Sequence, residues 1–266
     1  MALFENQMVG VSKNEPQRNR FFLFFELLSR KLWTIILANL LFLLFSIPII
    51  TIGPALSALH YVMRKLADQK PVFLMSDFTE AFKSNFKQSL GMFVINLVVG
   101  TVAVISFLFY MNLAEGNLIM YIPVGVVTCG IFVFIMANFY TFLQISTCNL
   151  TLWQIIKNSI FLCFLGIGGN LVTLIVFLLI FIGHISLFIT AFMGIFVIGI
   201  PVGIFLLCVT IGIVGFLTTF NGFYYLEKYV ISRGETSSED EDTEKIFEDM
   251  GKELKIKTRK IKKTIK

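Results

Sequence analysis

The sequence predicts an all-α fold: a polytopic membrane helix bundle with five full spans plus a short returning helix, about six crossings, and N and C termini cytoplasmic. Three observations carry that expectation. Of the 266 residues 56% are hydrophobic, thirty are Phe and only 15% are charged, whereas a soluble domain carries about a quarter charged residues. Stretches 32–63, 88–114, 116–156 and 158–226 contain no Asp, Glu, Lys or Arg, and a helix crosses the hydrocarbon with about 20 apolar residues. Lysine and arginine collect in alternate loops, as cytoplasmic loops do.

Residues 1–20 form a polar segment with Lys13, Glu15, Arg18 and Arg20. It lacks the early apolar region of a cleaved signal peptide, so the first apolar stretch is expected to stay in the protein. The membrane domain is expected over 21–226. Its opening, RFFLFFELLSRK, mixes aromatic rings with Glu26 and Arg30 at i,i+4, which suits an interfacial helix start. A first span over about 32–50 then meets a break at Pro48, Gly53 and Pro54.

The break decides the topology. Residues 64–87 hold Arg64, Lys65, Lys70, Lys83 and Lys87, and the N-terminal flank holds Arg18, Arg20, Arg30 and Lys31. One span between these flanks would place them on opposite sides, against the charge rule. A short helix over 54–67 that doubles back removes the conflict, and Pro54 suits its first turn. At 1.5 Å per residue it reaches about 20 Å, short of a full crossing. Neighbouring helices are therefore expected to cover the turn, since non-helical backbone at depth must be buried in protein. The alternative is a single span followed by an external interfacial helix.

Next, SDFTEAFKSNFKQSL at 76–90 reads as an amphipathic interfacial helix over 77–88. Asp77 is placed to cap it with Glu80 three residues on, and Phe78, Phe82 and Phe86 recur at i+4. With Lys83, Asn85 and Lys87 beside that stripe, the segment is a candidate partner or lipid contact, either in the acyl boundary or in a partner's groove. Later spans are expected over 89–111, 118–141, 159–182 and 196–224. The loop 112–117, with Glu115 alone, and the uncharged 183–195 fall outside; 142–158, with Lys157, falls inside. Gly199 and Gly203 form a weak G-x-x-x-G around Pro201. A cytoplasmic tail, 227–266, follows: GETSSEDEDTE reads as an acidic linker, and 252–266 carries eight Lys or Arg. Ile246, Met250, Leu254, Ile261 and Ile265 line one side of that end, a pattern expected to bind anionic lipids unless the acidic block folds back on it instead.

Candidate chemistry is sparse. Asn39, Ser57, His60 and Arg64 are candidates for a polar path through the bundle; structurally, His60 can equally be a satisfied buried group and Arg64 a snorkelling one. Asn96, Asn138, Gln144, Asn170 and Asn221 are amides able to cross-link helices. Cys129, Cys148, Cys163 and Cys208 have no metal or redox spacing. No G-x-x-x-x-G-K-[ST] loop exists to cradle ATP, and no acidic residue lies in the last four expected spans, so an intramembrane carboxylate relay is not expected. With two histidines and no nucleophile, base and acid in a cluster, no enzyme, cofactor or metal is expected; nucleic acid is not expected as a partner, because the tethered lysine-rich tail has the anionic membrane close by.

The turn P-x-x-T-x-G-P-A, here Pro48, Thr51, Gly53, Pro54 and Ala55, followed by Phe82, Lys83, Asn85, Phe86 and Gln88, resembles the YesL-like family of bacterial membrane proteins of unknown function. The similarity covers about residues 20–225. Members are often encoded beside carbohydrate importers of the ATP-binding-cassette type, so the resemblance implies an accessory or regulatory role in carbohydrate uptake. It implies a multi-pass protein of the bacterial plasma membrane with importer permease subunits as partners, and brings no catalytic residues. The other reading is a passive or secondary small-solute permease.

Overall fold

Eight α-helices form the described part of the chain, most of them on apolar stretches that the sequence supplies without a charge and α3 on an amphipathic one. The computed structural model describes residues 20–115, 117–192 and 196–232. They fold as α1 (Arg20–Phe45), a 3-10 turn (Ile49–Thr51), α2 (Ile52–Ala67), α3 (Leu74–Ser84), α4 (Phe86–Ala114), a 3-10 turn (Leu118–Met120), α5 (Tyr121–Thr147), α6 (Leu152–Leu165), α7 (Ile167–Phe192) and α8 (Phe196–Leu226), closed by a π-helical turn (Glu227–Ile231). Among the described residues, five helical stretches are long and apolar enough to cross a membrane: those of α1, α4, α5, α7 and α8. Their outward faces carry large exposed apolar side chains such as Leu97, Val102, Ile175 and Phe188, the surface hydrocarbon solvates. The chain is an integral membrane helix bundle.

Helix α1 needs no separate interfacial start. It runs unbroken from Arg20, twelve residues ahead of the expected position 32, because its aromatic opening has a protein partner. Phe24 stacks on Phe216 of α8 at 5.6 Å, and the Arg20 guanidinium sits 3.8 Å over the Tyr224 ring while donating to the Phe220 carbonyl at 3.2 Å. Fifteen residues on, Asn39 Nδ2 donates to the Leu207 carbonyl at 2.9 Å, so α1 and α8 are antiparallel.

α1 ends at Phe45, before Pro48, and the Thr51 hydroxyl lies 2.6 Å from the carbonyl oxygens of both Phe45 and Pro48. This supplies a donor to carbonyls that the helix end leaves open. α2 then returns: Arg64 reaches to 5.9 Å from the Phe223 ring, near the end of α8 that Arg20 also holds. The start of α1 and the end of α2 therefore meet the same part of α8. Neighbouring helices cover only part of the turn, since Ile47, Ile49 and Ile50 are exposed whereas Gly53, Pro54 and Ala55 are buried.

α2 is the hub, packing against α1, α3, α4, α5 and α8. Its small residues make this feasible. A Cβ added to Gly53 would lie 2.5 Å from the Ser89 carbonyl oxygen and 2.7 Å from Phe93 Cβ, and one added to Gly212 of α8 would lie 2.9 Å from the Ile35 carbonyl oxygen. The expected glycine pair at 199 and 203 has no such role at Gly203, beside which a Cβ would meet open space.

The expected span 159–182 is divided. α6 begins on a capping box, in which the Gln154 side chain accepts the Thr151 N–H at 2.8 Å and the Gln154 N–H reaches the Thr151 hydroxyl at 3.4 Å. It stops at Gly166, where Asn170 donates back to the Leu162 and Cys163 carbonyls at 3.2 and 3.0 Å. The membrane-long segment is α7 instead, displaced toward the C-terminus. At 14 residues, about 21 Å, α6 is too short to cross. The tail beyond 232 and residues 1–19 lie outside the described residues, and with them the lipid-binding pattern of 252–266.

Candidate functional site

The segment 64–88 is built from a helix end, a tight link and a helix that folds back. The α2 C-terminus closes with the Lys70 N–H on the Lys65 carbonyl (2.9 Å) and the Gln69 N–H on the Leu66 carbonyl (3.1 Å). This double closure requires a left-handed residue, and Gln69 supplies it at φ 56°. α3 follows with Phe73 ahead of its first residue, and Asp77, on its first turn, is the anchor. Its Oδ2 accepts the Phe73 N–H at 2.9 Å and the Lys65 ammonium at 2.8 Å. The cap expected of Asp77 thus serves a helix that starts at Leu74, and one carboxylate both satisfies the helix start and ties α3 to α2.

Packing completes the tie. Phe78 is fully buried, with its ring 5.3 Å from that of Phe45; Phe82 lies 5.0 Å from Phe45 and 5.6 Å from Phe86. The Phe78 and Phe82 rings thus pack on the bundle, with Phe86 partly exposed beside them. The reason is that α1 and α2 offer Phe78 and Phe82 a close apolar surface, which a lipid or partner contact would have to replace. What faces out is mostly polar: Ser76, Glu80, Lys83, Ser84 and Lys87 are exposed, together with the apolar Phe73 and Met75 at the helix start. Asn85 marks the bend between α3 and α4, its side chain donating to the Ala81 carbonyl at 3.1 Å.

The four residues of the expected polar path do not share one route. Asn39 turns to the α8 backbone, Ser57 donates to its own helix at the Pro54 carbonyl (2.9 Å), and Arg64 lies 5.3 Å from the Tyr61 ring. Of the four, His60 alone borders the cavity between the helices, with its Nδ1 held 2.7 Å from the Thr219 hydroxyl. That cavity, about 720 Å³, lies between α2, α4, α5, α7 and α8, and its polar lining is His60, Asn96, Asn138, His184, Thr210 and Thr218. Asn96 Nδ2 donates to Asn138 Oδ1 at 2.6 Å, and His184 Nε2 stands 3.4 Å from the Thr210 hydroxyl. Phenylalanines, leucines and isoleucines make up most of the remainder.

The amides do cross-link helices. Asn170 accepts the Tyr140 hydroxyl at 2.6 Å, Gln144 donates to Ser159 at 2.8 Å, and Asn221 donates to Thr173 at 3.1 Å. Each such bond contributes roughly 0.6 kcal/mol in a bilayer. Sequence reasoning missed Thr219, Thr173, Ser159 and Tyr140, whose hydroxyls complete these pairs; a Ser, Thr or Tyr in an apolar run carries no signal of which distant residue it will meet. At the loop after α5, burial pushes the Cys148 thiol up, with the Arg64 charge pulling the other way.

The turn and the folded-back helix lie in the part of the chain that a family model matches. Residues 35–107 match the family described as protein of unknown function, DUF624. YesL-like proteins belong to that family, so the resemblance read from the turn stands. The DUF624 match runs from Ile35 of α1 to Phe107 of α4 and so includes the Pro48–Ala55 turn, the hub helix and all of α3. No curated protein and no solved structure matches the chain.

Proposed function

We propose that this chain is a non-enzymatic accessory or regulatory component of a bacterial carbohydrate uptake system of the ATP-binding-cassette type. It resides in the plasma membrane with both termini in the cytoplasm. The observation that carries the proposal is the mounting of α3: Asp77 and Phe78 fix the helix to the hub, and Ser76, Glu80, Lys83, Ser84 and Lys87 are left facing out. A rigidly mounted face of polar side chains beside the exposed Phe73 and Met75 suits a protein contact, because little side-chain and loop order remains to be lost on docking. Its position within the DUF624 match, and the gene neighbourhood that the YesL-like resemblance implies, favour importer permease subunits as the partner. Anionic lipid at the basic tail would add a second attachment.

The permease reading has less support. Asn39, Ser57 and Arg64 are turned away from the cavity, so a hydrated sugar would meet a mainly apolar wall whose polar groups, His60, Asn96, Asn138, His184, Thr210 and Thr218, are largely bonded to the protein, with few left to replace its lost water.

The test is affinity purification of the tagged full chain from native membranes. Permease subunits are expected to co-purify, and Lys83→Glu with Lys87→Glu should remove them while the amount of inserted protein stays unchanged. Recovery of no partner, together with sugar uptake by liposomes holding this chain alone, would overturn the proposal.

A further inference from the structure

We infer that the cavity between α2, α4, α5, α7 and α8 is a binding site for a single-chain lipid with an uncharged, hydrogen-bonding end, such as a long-chain alcohol, entering sideways from the bilayer. The mouth gives the direction of entry. Leu97 of α4, Phe181 of α7 and Leu207 of α8 line the cavity and are also 59%, 51% and 45% exposed. Each belongs to a stretch long and apolar enough to cross the membrane. Residues that both border a cavity and face outward mark its opening, and here the opening faces hydrocarbon rather than water.

The lining gives the chemistry. No Asp, Glu, Lys or Arg borders the cavity, so nothing there would neutralise a charged headgroup, which is costly inside a bilayer. Six Phe side chains form much of the wall and suit an alkyl chain. Deeper in, the described residues leave two groups with bonding capacity to spare. His60 uses Nδ1 on Thr219, and Nε2 has no partner; Asn96 uses Nδ2 on Asn138, and Oδ1 has none. A ring N–H can donate to a hydroxyl oxygen, and an amide oxygen can accept a hydroxyl proton. The volume, about 720 Å³, falls within the range of about 300–1,000 Å³ typical of small-molecule sites. A sugar would waste this wall and a phospholipid headgroup would find no counter-charge. An alkyl alcohol satisfies both parts.

The experiment uses the full chain in phosphatidylcholine nanodiscs and a hexadecanol probe carrying a mid-chain diazirine, with photo-adducts mapped by peptide mass spectrometry. Adducts should concentrate at 93–97, 134–142 and 207–218. Unlabelled hexadecanol should suppress them at least about tenfold, and hexadecylammonium should compete at least about tenfold less well, as a charge placed in hydrocarbon demands. Adducts at outward positions such as Val102 and Ile175 should not change. Adducts spread evenly over the outer faces, or failure of hexadecanol to compete, would overturn the site; equal competition by the ammonium would overturn its selectivity for an uncharged end. The readout needs no partner protein, so it stands or falls apart from the accessory role.

Discussion

Single residues carry most of the constraint in the first third of the chain. Gly53 is the tightest: with the Ser89 carbonyl and Phe93 Cβ where an alanine methyl would go, Gly53→Ala must push α2 and α4 apart. Overpacking of this kind costs about 1–3 kcal/mol, to be read as a lower thermal midpoint in detergent; an unchanged midpoint would mean that the two helices slide freely. Gln69 offers the opposite case. Its left-handed backbone at φ 56° strains any residue with a Cβ, by roughly 1–2 kcal/mol. Gly removes that strain but has a more disordered unfolded chain to restrain. Gln69→Gly should therefore raise stability by a net of about 0.5–1 kcal/mol, measured by the same melt.

At the level of elements, the α2–α3 pair behaves as one unit because Asp77 joins both. The Lys65 and Asp77 side chains are only 19% and 10% exposed, so the pair lies between a surface bridge, worth up to about 1 kcal/mol, and a buried one, whose breaking costs about 3–5 kcal/mol. Asp77→Ala should cost about 2 kcal/mol on that scale and loosen α3, visible as faster protease cleavage at 68–73. Lys65→Met, which leaves the Asp77 cap on Phe73 intact, should loosen it less. Equal cleavage in wild type and D77A would dissociate the bridge from α3 docking.

Element boundaries show how far sequence reasoning reaches. Long uncharged runs announce α4 and α8 to within three residues, since hydrocarbon thickness sets a minimum length and Glu115 and Glu227 end them, whereas α5 runs six residues past its expected end inside a run that no charge closes. The break at Gly166 was hidden because it lies inside such a run, where Gly and Asn look like any other small or polar membrane residue. Thr151 and Gln154 did spell out a helix start at the spacing of a capping box. The direction in which the Phe78 stripe faces was not legible either: periodicity reveals that a face is apolar, and only the position of Phe45 decides what covers it.

For the whole molecule, α1 and α2 form a returning pair whose cationic ends meet one part of α8. The charge rule predicts that this end is cytoplasmic. Single cysteines test this in intact cells with an impermeant maleimide, read by peptide mass spectrometry. Lys13→Cys and Lys83→Cys should react only after permeabilisation, and Asn117→Cys without it; reaction of Lys13→Cys in intact cells would reverse the assignment. The candidate site was only partly readable at this scale. Its anchors, Asp77 and Phe78, stand out in their own helix, whereas the cavity arises from five helices distant in sequence and has no local signature.

The His60–Thr219 contact joins residues 159 positions apart. During synthesis the hub helix is inserted long before the last helix leaves the ribosome, and until then its buried imidazole has lipid or water for company. A nascent chain stalled before residue 219 is therefore an incomplete object in the bilayer, recognisable to membrane proteases by an orphaned ring, and C-terminal truncations should be cleared rather than accumulate.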